Sequence, residues 1–201
     1  MDLFTLAMLV AVGGHMLKLK YQRRRIALLG RHLGNYQIEK LMETLTEGYM
    51  RALGEADSGR REQIFNLLGT PEAALCDQLS RFSAEFAKVA EAEARVSKLP
   101  VALPYADRLF PSATFDLRKA LAIHAQGIAQ AAGNGADRSP KAKAFTVLAE
   151  LFLLQHTCHW FCKSKTTASA RLLGRQKTSY AQVLDAVAPE TRKAYCVLAD
   201  G

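Results

Sequence analysis

Apolar residues recur along this chain at steps of three and four, the spacing of one face of an α-helix, and no run alternates over the length of a strand. After Gly34 and Asn35 the pattern predicts a helix to about Leu53, with Ile38, Leu41, Leu45, Tyr49 and Ala52 on one side. Asp57-Ser58-Gly59 reads as a turn, and a short helix through Leu68 is expected to stop at Gly69. Thr70 and Pro71 then read as an N-cap and a first helical residue. From there Leu75, Leu79, Phe82, Phe86, Val89, Glu93 and Val96 step alternately by four and three. This seam is shorter than a free coiled coil needs, so an antiparallel pair inside a bundle is expected.

Pro100, Pro104 and Pro111 forbid a continuous helix and leave a connector from Leu99 to Pro111. Its Val101, Leu103, Tyr105, Leu109 and Phe110 are too apolar for a solvated linker, so it is expected to lie against the core. A further helix is predicted from about Ala113 to Ala132, ended by Gly133-Asn134-Gly135. Ser139 and Pro140 open the next, expected to run to Leu173, and two short helices follow, the last opened by Pro189. The fold class is all-α, a bundle of about five to seven helices with an apolar and basic helix at its N-terminus. No repeat or low-complexity tract interrupts it. Residues 1–33 form the N-terminal apolar segment with a basic juxtamembrane helix, and residues 34–201 the bundle domain.

The leading segment changes the picture most. Leu3 to Leu17 carries no charged side chain, and Leu3, Phe4, Leu6, Leu9 and Val10 give it a lipid-compatible surface. As a helix it would span roughly 22 Å, short of the ~30 Å hydrocarbon core unless Lys18 and Lys20 snorkel or the bilayer thins. The basic residues follow the apolar run instead of preceding it, which disfavours a cleaved signal peptide. The competing readings are a buried end-helix of the bundle and a translation start at Met16.

Charge tips the balance toward lipid. The chain has 27 basic and 19 acidic residues, a net +8. From Leu3 to Ile38 there is no acid, while Lys18, Lys20, Arg23, Arg24, Arg25 and Arg31 are all positive. Lys20, Arg23, Arg24 and Arg31 fall on one helical arc, with Leu17, Tyr21, Leu28, Leu29 and Leu33 mostly opposite. Each Lys or Arg near an anionic lipid surface contributes about 1 kcal/mol. The expected partner is therefore an anionic membrane surface, with the bulk of the chain on the cytoplasmic side by the positive-inside rule. A protein partner or a second copy is compatible with a binding role, and a cytoplasmic protein is the alternative location.

Candidate chemistry concentrates in His156 to Lys165, which holds two of the five histidines, two of the four cysteines and the one tryptophan. On a single helix His156, Cys158, His159 and Cys162 lie three or four apart. With His124 from the preceding helix, and Cys76 or Cys196, they are the candidate ligands of a zinc-like metal or of haem. The opposing reading is packing, because Val147 to Cys162 is apolar nearly all round and Glu150 is its one charge. No cofactor is called for by that reading. Glu39, Glu43 and Glu47, one turn apart, lack the Glu-x-x-His partners of a di-iron site and read as a solvated face.

The phosphate-binding loop, HExxH, GxSxG, GxGxxG and calcium-loop motifs are all missing, so no catalytic residue is assigned. Lys163, Lys165, Arg171, Arg175 and Lys177 scatter around the helix axis without forming a stripe, which disfavours nucleic acid as the partner. The sequence thus points to a membrane-associated helical binding or scaffold protein. The alternatives are a soluble metal- or haem-binding protein and a basic nucleic-acid-associated protein.

Overall fold

In a computed structural model that describes residues 2–101 and 103–199, the chain is an all-α bundle with an apolar N-terminal helix. The helices are α1 (Leu3–Leu33), α2 (Ile38–Gly54), α3 (Ser58–Phe86), the single turn α4 (Glu91–Ala94), the short α5 (Ala106–Leu109), α6 (Leu117–Gly133), α7 (Pro140–Cys162), α8 (Lys165–Gln176), α9 (Tyr180–Ala186) and α10 (Pro189–Ala199). Five of the starts follow from caps in the sequence. Asp57, Asp116, Ser139, Ser164 and Ser179 each accept a backbone N–H with the side chain, and Ser179 with Gln182 forms a full capping box. Asn134 and Lys177, both in the left-handed region, end α6 and α8.

The helix α7 is the centre of the bundle, packed by α2, α6, α8 and α9 and touched by α1. Its Val147, Leu151, Leu154, Trp160 and Phe161 are all buried, as a helix apolar all round requires. The predicted seam on α3 holds as a core face, with Leu75, Leu79, Phe82 and Phe86 buried. Across the bundle, Lys143 on α7 pairs with the buried Glu72 on α3 at 2.6 Å, and Tyr49 of α2 donates its hydroxyl to the same carboxylate.

Several expected boundaries move. The helix α3 runs unbroken through Pro71 instead of restarting there. The proline removes one N–H that would reach the carbonyl of Leu67, a residue on the solvent side where water can serve that oxygen. The seam ends at Phe86, so Glu93 and Val96 lie beyond the helix. Two three-residue strands, β1 (Arg95–Ser97) and β2 (Thr114–Asp116), pair antiparallel with Val96 opposite Phe115. They are too short to show the alternation that announces a strand. The helix expected from Ser139 to Leu173 breaks at Lys163, because Ser164 turns extended and caps a new helix, α8.

The connector is the largest departure. Val101, Leu103, Tyr105, Leu109 and Phe110 are exposed and do not lie in the core.

Candidate functional site

The helix α1 is continuous over 31 residues, roughly 46 Å, and changes character along its length. Near its N-terminus an eighteen-residue stretch has a mean hydropathy of 1.4 and no buried residue. Leu3, Phe4, Leu6, Leu9 and Val10 all face outward, Leu3 at 84% exposure. Among the described residues this is the one helix long and apolar enough to cross a bilayer. From Tyr21 onward the same helix docks on the bundle, and Gln22, Arg25 and Leu29 become buried.

The basic block divides accordingly. Lys20, Arg23, Arg24 and Arg31 are exposed and Lys18 is partly so. Arg24 meets Glu93 at 2.5 Å on the surface. Arg25, expected at the lipid headgroups, is turned into the protein instead. Its guanidinium donates to the carbonyls of Phe161 and Arg95 and lies 4.5 Å from the Tyr21 ring centre and 4.7 Å from that of Phe161. The reason is angular: Arg25 shares the face of Gln22 and Leu29, three and four residues away on the helix.

Below the docked half of α1 lies a half-open groove of about 630 Å³ between α1, α2, α7 and α8. Its floor is apolar, with Leu29, Met42, Leu79 and Phe152. Glu39, Glu43 and Glu47 form one wall, exposed as expected, and Arg175 stands on the other. The volume lies in the ordinary range of ligand pockets. The groove thus sets an apolar floor between an acidic wall and a basic one.

The histidines and cysteines do not assemble. His124 is fully buried and its Nε2 lies 2.9 Å from Thr157 Oγ1, while His156 Nε2 lies 3.0 Å from Ser169 Oγ and its ring stacks on Tyr180 at 4.4 Å. Cys158, His159 and Cys162 instead line the groove. One helix cannot aim all of these residues at one point, since i, i+1 and i, i+2 neighbours face apart. Among the described residues no three His, Cys, Asp or Glu side chains group to hold a metal ion. Burial holds both imidazoles neutral, lowering His124 to about 3 and His156 to about 4. It also pushes the Cys158 thiol up to about 12 and the Cys162 thiol to about 11, so neither supplies a thiolate near neutral pH.

A buried polar layer ties α6, α7 and α10 together, and periodicity did not announce it. Thr157 Oγ1 donates to the Leu153 carbonyl and lies 2.8 Å from the Tyr195 hydroxyl. With its one proton committed, it accepts from His124, which fixes the Nε2–H tautomer. Nearby Glu150, fully buried, accepts the Ala188 N–H on Oε1 at 3.0 Å, joining α7 to the start of α10. Burial raises its carboxyl from the ordinary 4.5 to about 7. Gly127 lets this layer close: a Cβ there would stand 2.3 Å from Thr191 Oγ1 and 2.7 Å from Glu150 Oε2. The one sequence signal was a lone acid in an otherwise apolar helix.

Comparison with protein-family models, curated proteins and solved structures finds no match to this chain.

Proposed function

We propose that this protein is a membrane-anchored helical binding or scaffold protein, held at the cytoplasmic face by the N-terminal half of α1. One observation carries the reading: an eighteen-residue apolar stretch buries nothing within the protein, yet continues as one rigid helix into a half that is firmly docked. Exposed apolar surface of this size calls for a partner. Each large side chain moved from water into hydrocarbon contributes about 1.5–3 kcal/mol, so several together outweigh the ordering cost of docking at a bilayer. With Lys18 and Lys20 snorkelling, residues 3–20 reach roughly 27 Å, close to the thinner natural bilayers.

Lys20, Arg23 and Arg31, exposed just beyond the apolar stretch, support the cytoplasmic orientation through the positive-inside bias. The role is binding, and the groove beside α1 is the candidate surface for it. Carbonate-resistant pelleting of the full chain with membranes, lost on deletion of residues 1–16, is the expected result. Full recovery of the intact chain in the soluble fraction would remove the anchor.

A further inference from the structure

The connector between β1 and β2 exposes Val101, Leu103, Leu109 and Phe110 within ten residues, although its composition called for a place in the core. Singly exposed apolar residues need no explanation, but a clustered set does. The position of this cluster supplies one. The Tyr105 ring lies 5.5 Å from that of Tyr21 on α1, centre to centre. Tyr21 is four residues past Leu17, the end of the apolar run, and so roughly 6 Å further along the helix axis. If α1 spans the bilayer, that is the depth of the headgroup layer, where tyrosines collect.

The loop is held in this place by more than one contact. The Pro100 carbonyl accepts from both the N–H and the hydroxyl of Thr166, at 3.2 and 2.6 Å, at the start of α8. One cation lies in the loop and another beside its contact point on α1. The Arg108 guanidinium lies 5.6 Å from the centre of the Tyr105 ring, and Lys163, just before α8, reaches Gln22 of α1 at 3.1 Å. Apolar side chains rimmed by cations suit an anionic leaflet better than a protein core.

We infer that the 99–110 connector is a second membrane contact, placing Leu109 and Phe110 in the interface of the same leaflet that α1 leaves, with Arg108 and Lys163 at its phosphates. This inference rests on the anchored reading of α1. Two points of attachment would fix the bundle's tilt against the bilayer, whereas a single helix leaves it free to swing.

The test uses the full chain on phosphatidylcholine vesicles containing phosphatidylserine, with acyl chains brominated just below the headgroup. Phe110→Trp is compared with Leu173→Trp, also exposed but about two turns further down α8 from Thr166, with Trp160 as a constant background. The Trp at 110 is expected to lose roughly half or more of its emission, as a side chain sunk about 5–10 Å into the interface should, and the Trp at 173 little. In a second arm, Leu109→Glu/Phe110→Glu should still float with vesicles through α1. For cleavage by trypsin after Arg108, the ratio of the rate without vesicles to the rate on vesicles should be several-fold in the parent and near one in the double variant, each chain serving as its own reference because the new acids slow trypsin by themselves. Flotation with no quenching at 110, with equal quenching at both sites, or with the same protection ratio in parent and double variant, overturns the loop contact alone. Failure of the parent to float overturns the anchor and the loop contact together.

Discussion

The Arg25 guanidinium donates to the Phe161 carbonyl oxygen at 2.9 Å, joining α1 to the last turn of the central helix α7. That oxygen is one of the four carbonyls a helix C-terminus leaves without an intrahelical donor. A basic residue from α1 therefore completes α7. The His32 Nδ1 contact with Glu85 at 2.9 Å, and the Tyr36 hydroxyl donated to the same carboxylate at 2.8 Å, fix the far end of α1 in the same way. The docked half of α1 is thus part of the bundle.

Replacing Arg25 with alanine should lower the unfolding free energy by about 2–3 kcal/mol, because charge-assisted bonds to two carbonyls disappear from a buried site. Arg24→Ala removes only an exposed pair with Glu93 and should cost under about 1 kcal/mol. Urea titration of both variants checks the contrast. Similar losses for the two would place Arg25 on the surface.

Glu150 gives stability a pH dependence of defined sign. Its carboxyl is raised in the folded protein from 4.5 to about 7, so the native state holds the proton that the unfolded chain has lost. Stability is therefore full below pH 4.5, falls as pH rises to about 7, and is flat beyond, with a total change of about 3 kcal/mol. Glu150→Gln removes this contribution. Denaturant titrations at pH 5 and pH 8 should show the variant gaining on the parent as pH rises; a constant difference would mean that Glu150 is ionised throughout.

Gly127→Ala forces a methyl group against the buried side chains of Thr191 and Glu150. The expected cost is about 1–3 kcal/mol. At this chain length that corresponds to a drop in Tm of several degrees by calorimetry, about 2–4 °C per kcal/mol.

Gly30→Leu is the opposite case, since a Cβ at this groove-lining position meets nothing within 4 Å. Removing a glycine from the last turn of α1 should raise stability by up to about 0.5 kcal/mol, less than in a helix interior. A fall in Tm would mean that the groove is narrower than described.

The heptad face Leu75 to Phe86 and the all-round apolar α7 were legible because core burial writes a periodic signal. The exposed acidic row on α2 was legible for the same reason, as the complement of a buried face. Other features carried no such signal. A break at Lys163 depends on whether Ser164 caps or continues, a local competition that tertiary packing settles. The outward turn of Phe110 and the inward turn of Arg25 each reverse what residue type alone suggests, because position relative to α1 decides them. Shared spacing suggested convergence of His156, His159 and Cys162, yet one helix points them at different neighbours.

Flotation of the full chain with anionic vesicles after a carbonate wash, beside Leu6→Asp/Leu9→Asp, addresses the anchor most directly. Each aspartate near the centre of a spanning segment costs about 2.5–3.5 kcal/mol, enough together to defeat a marginal anchor without touching the bundle. The parent should rise with the lipid and the double variant should stay at the bottom of the gradient. A parent that stays at the bottom, or a double variant that rises equally, would show that α1 does not enter the bilayer.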